Sequence, residues 1–144
     1  MSYVKNYLHC VWGTKNKLPF LSREIKHTIL DHMGTNAKEK DIFLDSLNGN
    51  SEHVHCLLSL NPDQALSRVM QLIKGDSSFW INRNKLTGFK FEWAVEYFAV
   101  SVSISHIPRV REYIKTQEEH HKKMTWEEEY EIFLKDYGFI RIQG

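Results

Sequence analysis

Apolar and polar residues follow two different periods along this chain. From Tyr3 to Thr14 the period is two, with Lys5, Tyr7, His9 and Val11 on one face and Asn6, Leu8, Cys10 and Trp12 on the other; this predicts a strand. A basic loop from Gly13 to Pro19 leads to Ser22. That serine can cap a helix with Glu24 in its first turn, a stripe of Ile25, Ile29 and Met33, Leu30 at the stripe's edge, and an end near Lys38. The short segment Ile42 to Asn48 runs into Asn48-Gly49-Asn50, residues that tolerate positive φ, and so predicts a hairpin with a strand starting at His53. Either Asn61 or Asp63 can cap a second helix carrying Leu66, Val69, Met70 and Ile73, continuing past a weak point at Gly75 to Arg83. Tyr97 to Ser103 alternates again, with Phe98, Val100 and Val102 expected inward. Pro108, preceded by Ser105 or His106, suits the first turn of a third helix with Ile107, Val110 and Ile114 apolar. Thr125 and Glu128 form a capping box for a last short helix bearing Trp126, Tyr130, Phe133 and Leu134 and ending near Gly138.

The order strand-helix-strand-strand-helix-strand is that of the α+β ferredoxin-like (RRM-like) fold, a split βαβ unit. It predicts a four-stranded antiparallel sheet with helices on one face, followed by C-terminal helices that carry Tyr113. The opposite, open face would collect Tyr7, His9, His53, His55, Tyr97 and Ser101. At 144 residues the chain is expected to form one domain, with a core over about residues 3–124 and a helical extension from about 125 to 144.

Composition narrows the class. Aromatics make up 12% and there are 3 Pro and 7 Gly, so no long segment reads as disordered. No apolar run approaches the ~20 residues of a membrane span, and the start of the chain lacks a signal-peptide layout, so a cytoplasmic protein is expected. Cys10 and Cys56 sit in strand patterns and read as reduced core residues. The net charge is only +1, but residues 1–116 hold 15 Lys+Arg against 11 Asp+Glu. A polyanion would meet that part of the chain, and Lys15, Lys17, Arg68, Lys74, Arg109 and Arg111 are the candidate phosphate contacts.

His53-Val54-His55 is the sharpest chemical feature. Residues i and i+2 of a strand share a face about 7 Å apart, so the two imidazoles can converge on one cation. With 8 His in 144 residues, chance gives on the order of half such a pair, and corroboration must come from elsewhere. Tyr113 and Gln117 supply it, lying one turn apart on one helix face. Two imidazoles and an amide oxygen make an incomplete sphere for a divalent cation, open to water and a phosphate oxygen. A tyrosine held in line with a phosphodiester could attack phosphorus and form a phosphotyrosine. Because tyrosine titrates near ~10, a local proton acceptor or the field of the metal must help, and the sequence names no such acceptor.

The runs Glu52-His53-Val54-His55-Cys56-Leu57-Leu58, Leu72 to Ser78, Ser101-Val102-Ser103 and Val110 to Gln117 occur in the order and spacing of a known family. The chain resembles the single-tyrosine HUH transposases, small insertion-sequence enzymes that move DNA as a single strand. The likeness covers roughly residues 3–124. It implies that His53, His55 and Gln117 bind Mg²⁺ or Mn²⁺, and that Tyr113 takes the 5′ phosphate and releases a 3′ hydroxyl. It further implies single-stranded DNA with hairpin ends as substrate, and a homodimer in which the tyrosine helix can act in trans. Glu52 stands where an aspartate is common. A domesticated, non-catalytic nucleic-acid-binding protein on the same fold is the alternative; an RNA-recognition module would show an aromatic run that is absent here. A metallohydrolase would ask for a further carboxylate or histidine and no tyrosine. His120 and His121 read as helix-end polar residues.

Overall fold

The computed structural model describes residues 2–19, 22–117, 125, 127–129 and 131–132. Its elements are β1 (Tyr7–Gly13), α1 (Arg23–Glu39), β2 (Phe43–Gly49), β3 (His53–Ser59), α2 (Leu66–Arg83), β4 (Phe98–Val102) and α3 (Ile107–Lys115), with 3-10 turns at Lys15–Lys17 and Ile104–His106. The strands form one antiparallel sheet in the order β2-β3-β1-β4, with the first and third strands central. This is the expected split βαβ arrangement.

α1 and α2 bury their stripes on one face. Ile29, Met33 and Ala37 from α1 meet Val69, Met70, Ile73 and Ile81 from α2 over Cys10, Trp12, Val54, Cys56 and Leu58 of the central strands. Leu and Ile side chains buried in this way each contribute roughly 1.5–3 kcal/mol relative to exposure. α2 runs unbroken through Gly75 to Arg83, and its N-cap is Ala65 rather than Asn61 or Asp63. Ser77, buried in that helix, donates to the Ile73 carbonyl at 2.8 Å and accepts the Trp93 indole N–H at 2.8 Å, which satisfies both polar groups.

Gly49 does more than turn the chain. Its φ is not left-handed, nor are those of Asn48 and Asn50; β2 continues through Gly49, and the reversal is made by Asn50 to Glu52, closed by the Asn50 N–H to the His53 carbonyl at 3.0 Å. A Cβ on Gly49 would stand 2.4 Å from the His53 backbone oxygen. Glycine is therefore required by close approach beside His53. The Gly49 carbonyl accepts from Lys26 Nζ at 3.1 Å, which ties the hairpin to α1.

Two expectations about the second face change. That face is not open, because α3 lies across it and buries His9, His53 and His55. β4 is also turned over relative to the sequence reading. Tyr97 and Ala99 pack into the core beneath α1 and α2, while Phe98 meets Val11 and Tyr113 and Val102 joins Leu57, Ile107 and Val110. With both faces of the strand covered, apolar alternation no longer tells inside from outside. Residues 127–129 and 131–132 are helical as the capping box predicts, with Glu128 N–H bonded to Thr125 Oγ1 at 3.2 Å. Trp126, Tyr130, Phe133, Leu134, Gly138, His120 and His121 lie outside the described residues.

Candidate metal and tyrosine site

Strand geometry sets the histidines. His53 and His55, two apart on β3, share the face toward α3, with ring centroids 5.0 Å apart. His9 is on the same face of β1, opposite Leu57, while His55 stands opposite Val11. This diagonal offset places His9 Nε2 2.9 Å from His55 Nδ1, with the rings stacked at 5.1 Å. His9 is held neutral: burial, and then the neighbouring charge of His55, lower its pKa to about 3, against an opposing pull from Glu129. A neutral His9 can fix the orientation and tautomer of His55 through that bond.

α3 is fastened to the same face from both ends. Ile107 and Ile114 pack on Leu57, Asn48 Nδ2 donates to the Ile114 carbonyl at 2.9 Å, and Arg111 makes a two-pronged contact with Asp45 at 2.8 and 2.7 Å. The Arg111 guanidinium holds the Asp45 carboxyl below its ordinary value. Half-buried Tyr113 then presents its ring 5.5 Å from that of His55 and 5.9 Å from that of His9, edge-on in both cases. Gln117, just beyond the helix, is fully buried. Its Nε2 donates to the Tyr113 carbonyl at 3.2 Å, and its Oε1 has no hydrogen-bond partner among the described residues.

A residue that sequence reasoning missed completes the cluster. Glu129, only 4% exposed, accepts the Tyr113 hydroxyl on Oε1. The same oxygen lies 3.1 Å from His55 Nε2, and Oε2 lies 3.3 Å from His53 Nε2. The one available signal was its position on the stripe of Trp126, Tyr130 and Phe133, where a carboxylate interrupts apolar residues. Ligand atoms of His53, His55 and Glu129 all lie within 4.8 Å of one another. Two imidazole nitrogens and a carboxylate so placed suit a divalent cation.

The six basic residues differ in their partners. Lys15 pairs with Glu92 at 3.0 Å and Lys17 with Glu127 at 3.1 Å, both near the exit of β1. Lys74, whose pKa burial lowers, donates to the carbonyls of Ala94 and Val95 at 2.7 and 3.0 Å. Arg68 reaches Gln71 at 3.1 Å along α2. Arg109 is exposed on α3, and Arg111 is committed to Asp45. Cys10 and Cys56, paired across β1 and β3, are free thiols in the core; their mutual hydrogen bond and burial push the Cys56 thiol up.

A split βαβ sheet with a histidine pair on one face, met there by a helix-borne tyrosine, defines the class: a single-tyrosine HUH transposase. The sequence profile of the family described as "Transposase IS200 like" matches residues 2–117, and the chain belongs to that family of DNA transposases. Among solved structures it is similar to a candidate transposase from Deinococcus radiodurans R1, at 24% identity and a TM-score of 0.63 over 81% of this chain and 95% of that one. It is also similar to a REP-associated tyrosine transposase bound to a REP hairpin, at 17% identity and a TM-score of 0.62 over 88% of this chain and 73% of that one. Both likenesses concern the fold. No curated protein matches the sequence. Among the described residues no helix is long and apolar enough to cross a membrane.

Proposed function

We propose that this transposase cuts and rejoins single-stranded DNA, with Tyr113 as the nucleophile and His53, His55 and Gln117 as protein ligands of Mg²⁺ or Mn²⁺. The observation that carries this reading is the convergence within one chain: the Tyr113 hydroxyl and both imidazole Nε2 atoms meet at a single carboxylate. When bound, the cation polarises the scissile phosphodiester. Tyr113 Oη gives up its proton and attacks phosphorus, the bond from Oη to phosphorus forms, the bond to the 3′ oxygen breaks, and the 3′ oxygen takes up a proton. The 3′ oxygen leaves as a hydroxyl, and the 5′ phosphate stays on the tyrosine until an incoming 3′ hydroxyl reverses the step.

A DNA hairpin is the substrate this reading favours, and the fold shared with a hairpin-bound relative supports it. Lys15, Lys17, Arg68, Lys74, Arg109 and Arg111 are the proposed phosphate contacts, with exposed Arg109 one turn before Tyr113. The contacts of Tyr113 favour a site completed in cis, so a homodimer would pair two complete sites. Residues 1–144 act as one domain, extension included. In the test, purified protein with Mn²⁺ or Mg²⁺ meets a hairpin-bearing oligonucleotide. A covalent protein–DNA adduct is expected, lost on the order of 10⁴-fold or more in Tyr113→Phe with DNA binding kept. Wild-type adduct levels from the Phe variant would overturn the assignment.

A further inference from the structure

Four glutamates of the C-terminal segment lie among the described residues, and three of them, Glu127, Glu128 and Glu131, are exposed. Glu129 alone is buried, and its two oxygens are divided between His53 and His55. The start of the helical turn explains the difference. Thr125 Oγ1 accepts the Glu128 N–H at 3.2 Å and the Thr125 carbonyl accepts the Glu129 N–H at 3.0 Å, which fixes the register in which Glu129 points inward. Lys17 Nζ meets Glu127 at 3.1 Å and fastens the outer side of the same turn to the chain leaving β1.

We propose that Glu129 is a carboxylate ligand of the cation held by His53 and His55, and that through Oε1 it positions the Tyr113 hydroxyl beside that cation. The C-terminal segment then completes the catalytic centre. This inference rests on the cation reading of the preceding section and adds to it a ligand from outside the matched residues 2–117. Adjacent corners of an octahedron with bonds of ~2.1 Å are about 3.0 Å apart. The contacts of 3.1 Å to His55 and 3.3 Å to His53 have that spacing. The bond between His55 Nδ1 and His9 Nε2, 2.9 Å, suits an imidazole whose Nε2 lone pair is turned to a cation. A buried carboxylate is costly unless a cation or hydrogen bonds compensate it; here the Tyr113 O–H donates to it, and a cation seated beside the two imidazole Nε2 atoms would supply the rest.

The experiment measures Mn²⁺ binding to the full-length protein, by loss of the free-ion EPR signal and by titration calorimetry, for wild type, Glu129→Gln and Glu131→Gln. Wild type and the Glu131 variant should bind alike, and Glu129→Gln, which is isosteric but uncharged, should bind at least about tenfold more weakly. Should the amide variant fail to fold in a thermal melt, Glu129→Asp keeps the charge but retracts it by one methylene; the same direction of loss is expected. Glu129 variants that bind Mn²⁺ as tightly as wild type overturn this proposal and leave the cation reading intact. Faster adduct formation by Glu129→Gln at unchanged Mn²⁺ affinity overturns it too, because the carboxylate would then be a plug. Wild-type protein that binds no Mn²⁺ overturns the cation reading itself, and this assignment with it.

Discussion

Beneath α1 and α2 the central strands bury only apolar side chains and thiols, Cys10, Trp12, Val54, Cys56 and Leu58; beneath α3 the same strands bury three imidazoles. The first face is closed by helices that belong to the βαβ unit itself. The contacts these strand side chains make there are non-directional, so any well-filled packing serves. The second is closed by residues that follow β4, and its polar atoms need partners at defined distances. His9 meets His55, Tyr113 meets Glu129, and Asn48 meets the end of α3. Stability should therefore be concentrated on one face and chemistry on the other.

The largest effect that tests this division is on the apolar side. Leu58→Ala should cost about 2–5 kcal/mol by urea denaturation, while the fraction that remains folded forms adduct at the wild-type rate. A loss under ~1 kcal/mol would place Leu58 outside a well-packed core. On the polar side, His9→Phe should lower Mn²⁺ affinity by about 10–100-fold in calorimetry, because His55 loses the partner that orients it. Unchanged affinity would make His9 a packing residue only.

His9 should also mark the apo protein's response to acid. The unfolded chain takes a proton on this residue near pH 6.5, and the folded chain only near 3. In that window unfolding takes up a proton, so stability falls as pH drops below about 6.5, at a slope approaching 1.4 kcal/mol per pH unit for this group. Urea melts between pH 4 and 7 should show a shallower dependence in His9→Phe, and identical slopes would refute a neutral, buried His9. The smallest effect lies far from both faces' interiors. A Cβ on helical, exposed Gly75 meets nothing within 4 Å, so Gly75→Ala should add about 0.5–1 kcal/mol of stability without touching Mn²⁺ affinity.

Much of this was legible along the chain because it depends on local periods. Two-residue alternation located β1 and β3, and the same alternation put His53 and His55 on one face. The stripe of Val69, Met70 and Ile73 carried α2 through Gly75, since one glycine costs less than the packing it would forfeit. β4 was harder. Phe98 and Val102 face the helix that follows, and a strand apolar on both sides gives no sign of which side holds the core. Gly49 read as a turn residue because sequence shows its freedom in φ, whereas its need is set by the His53 oxygen 2.4 Å from a would-be Cβ.

Element order, with the split βαβ topology it implies, the shared face of His53 and His55, and the one-turn spacing of Tyr113 and Gln117 are all written along the chain. The elements and the two spacings rest on periodicity within a few residues, and the topology follows from the order of the elements. Long-range packing is what sets His9 behind His55, lays α3 over the histidines in cis and brings Glu129 between them. Those are diagonal, cross-strand and end-to-end contacts, between residues 46, 58 and 76 positions apart, and no local period encodes the geometry in which they meet.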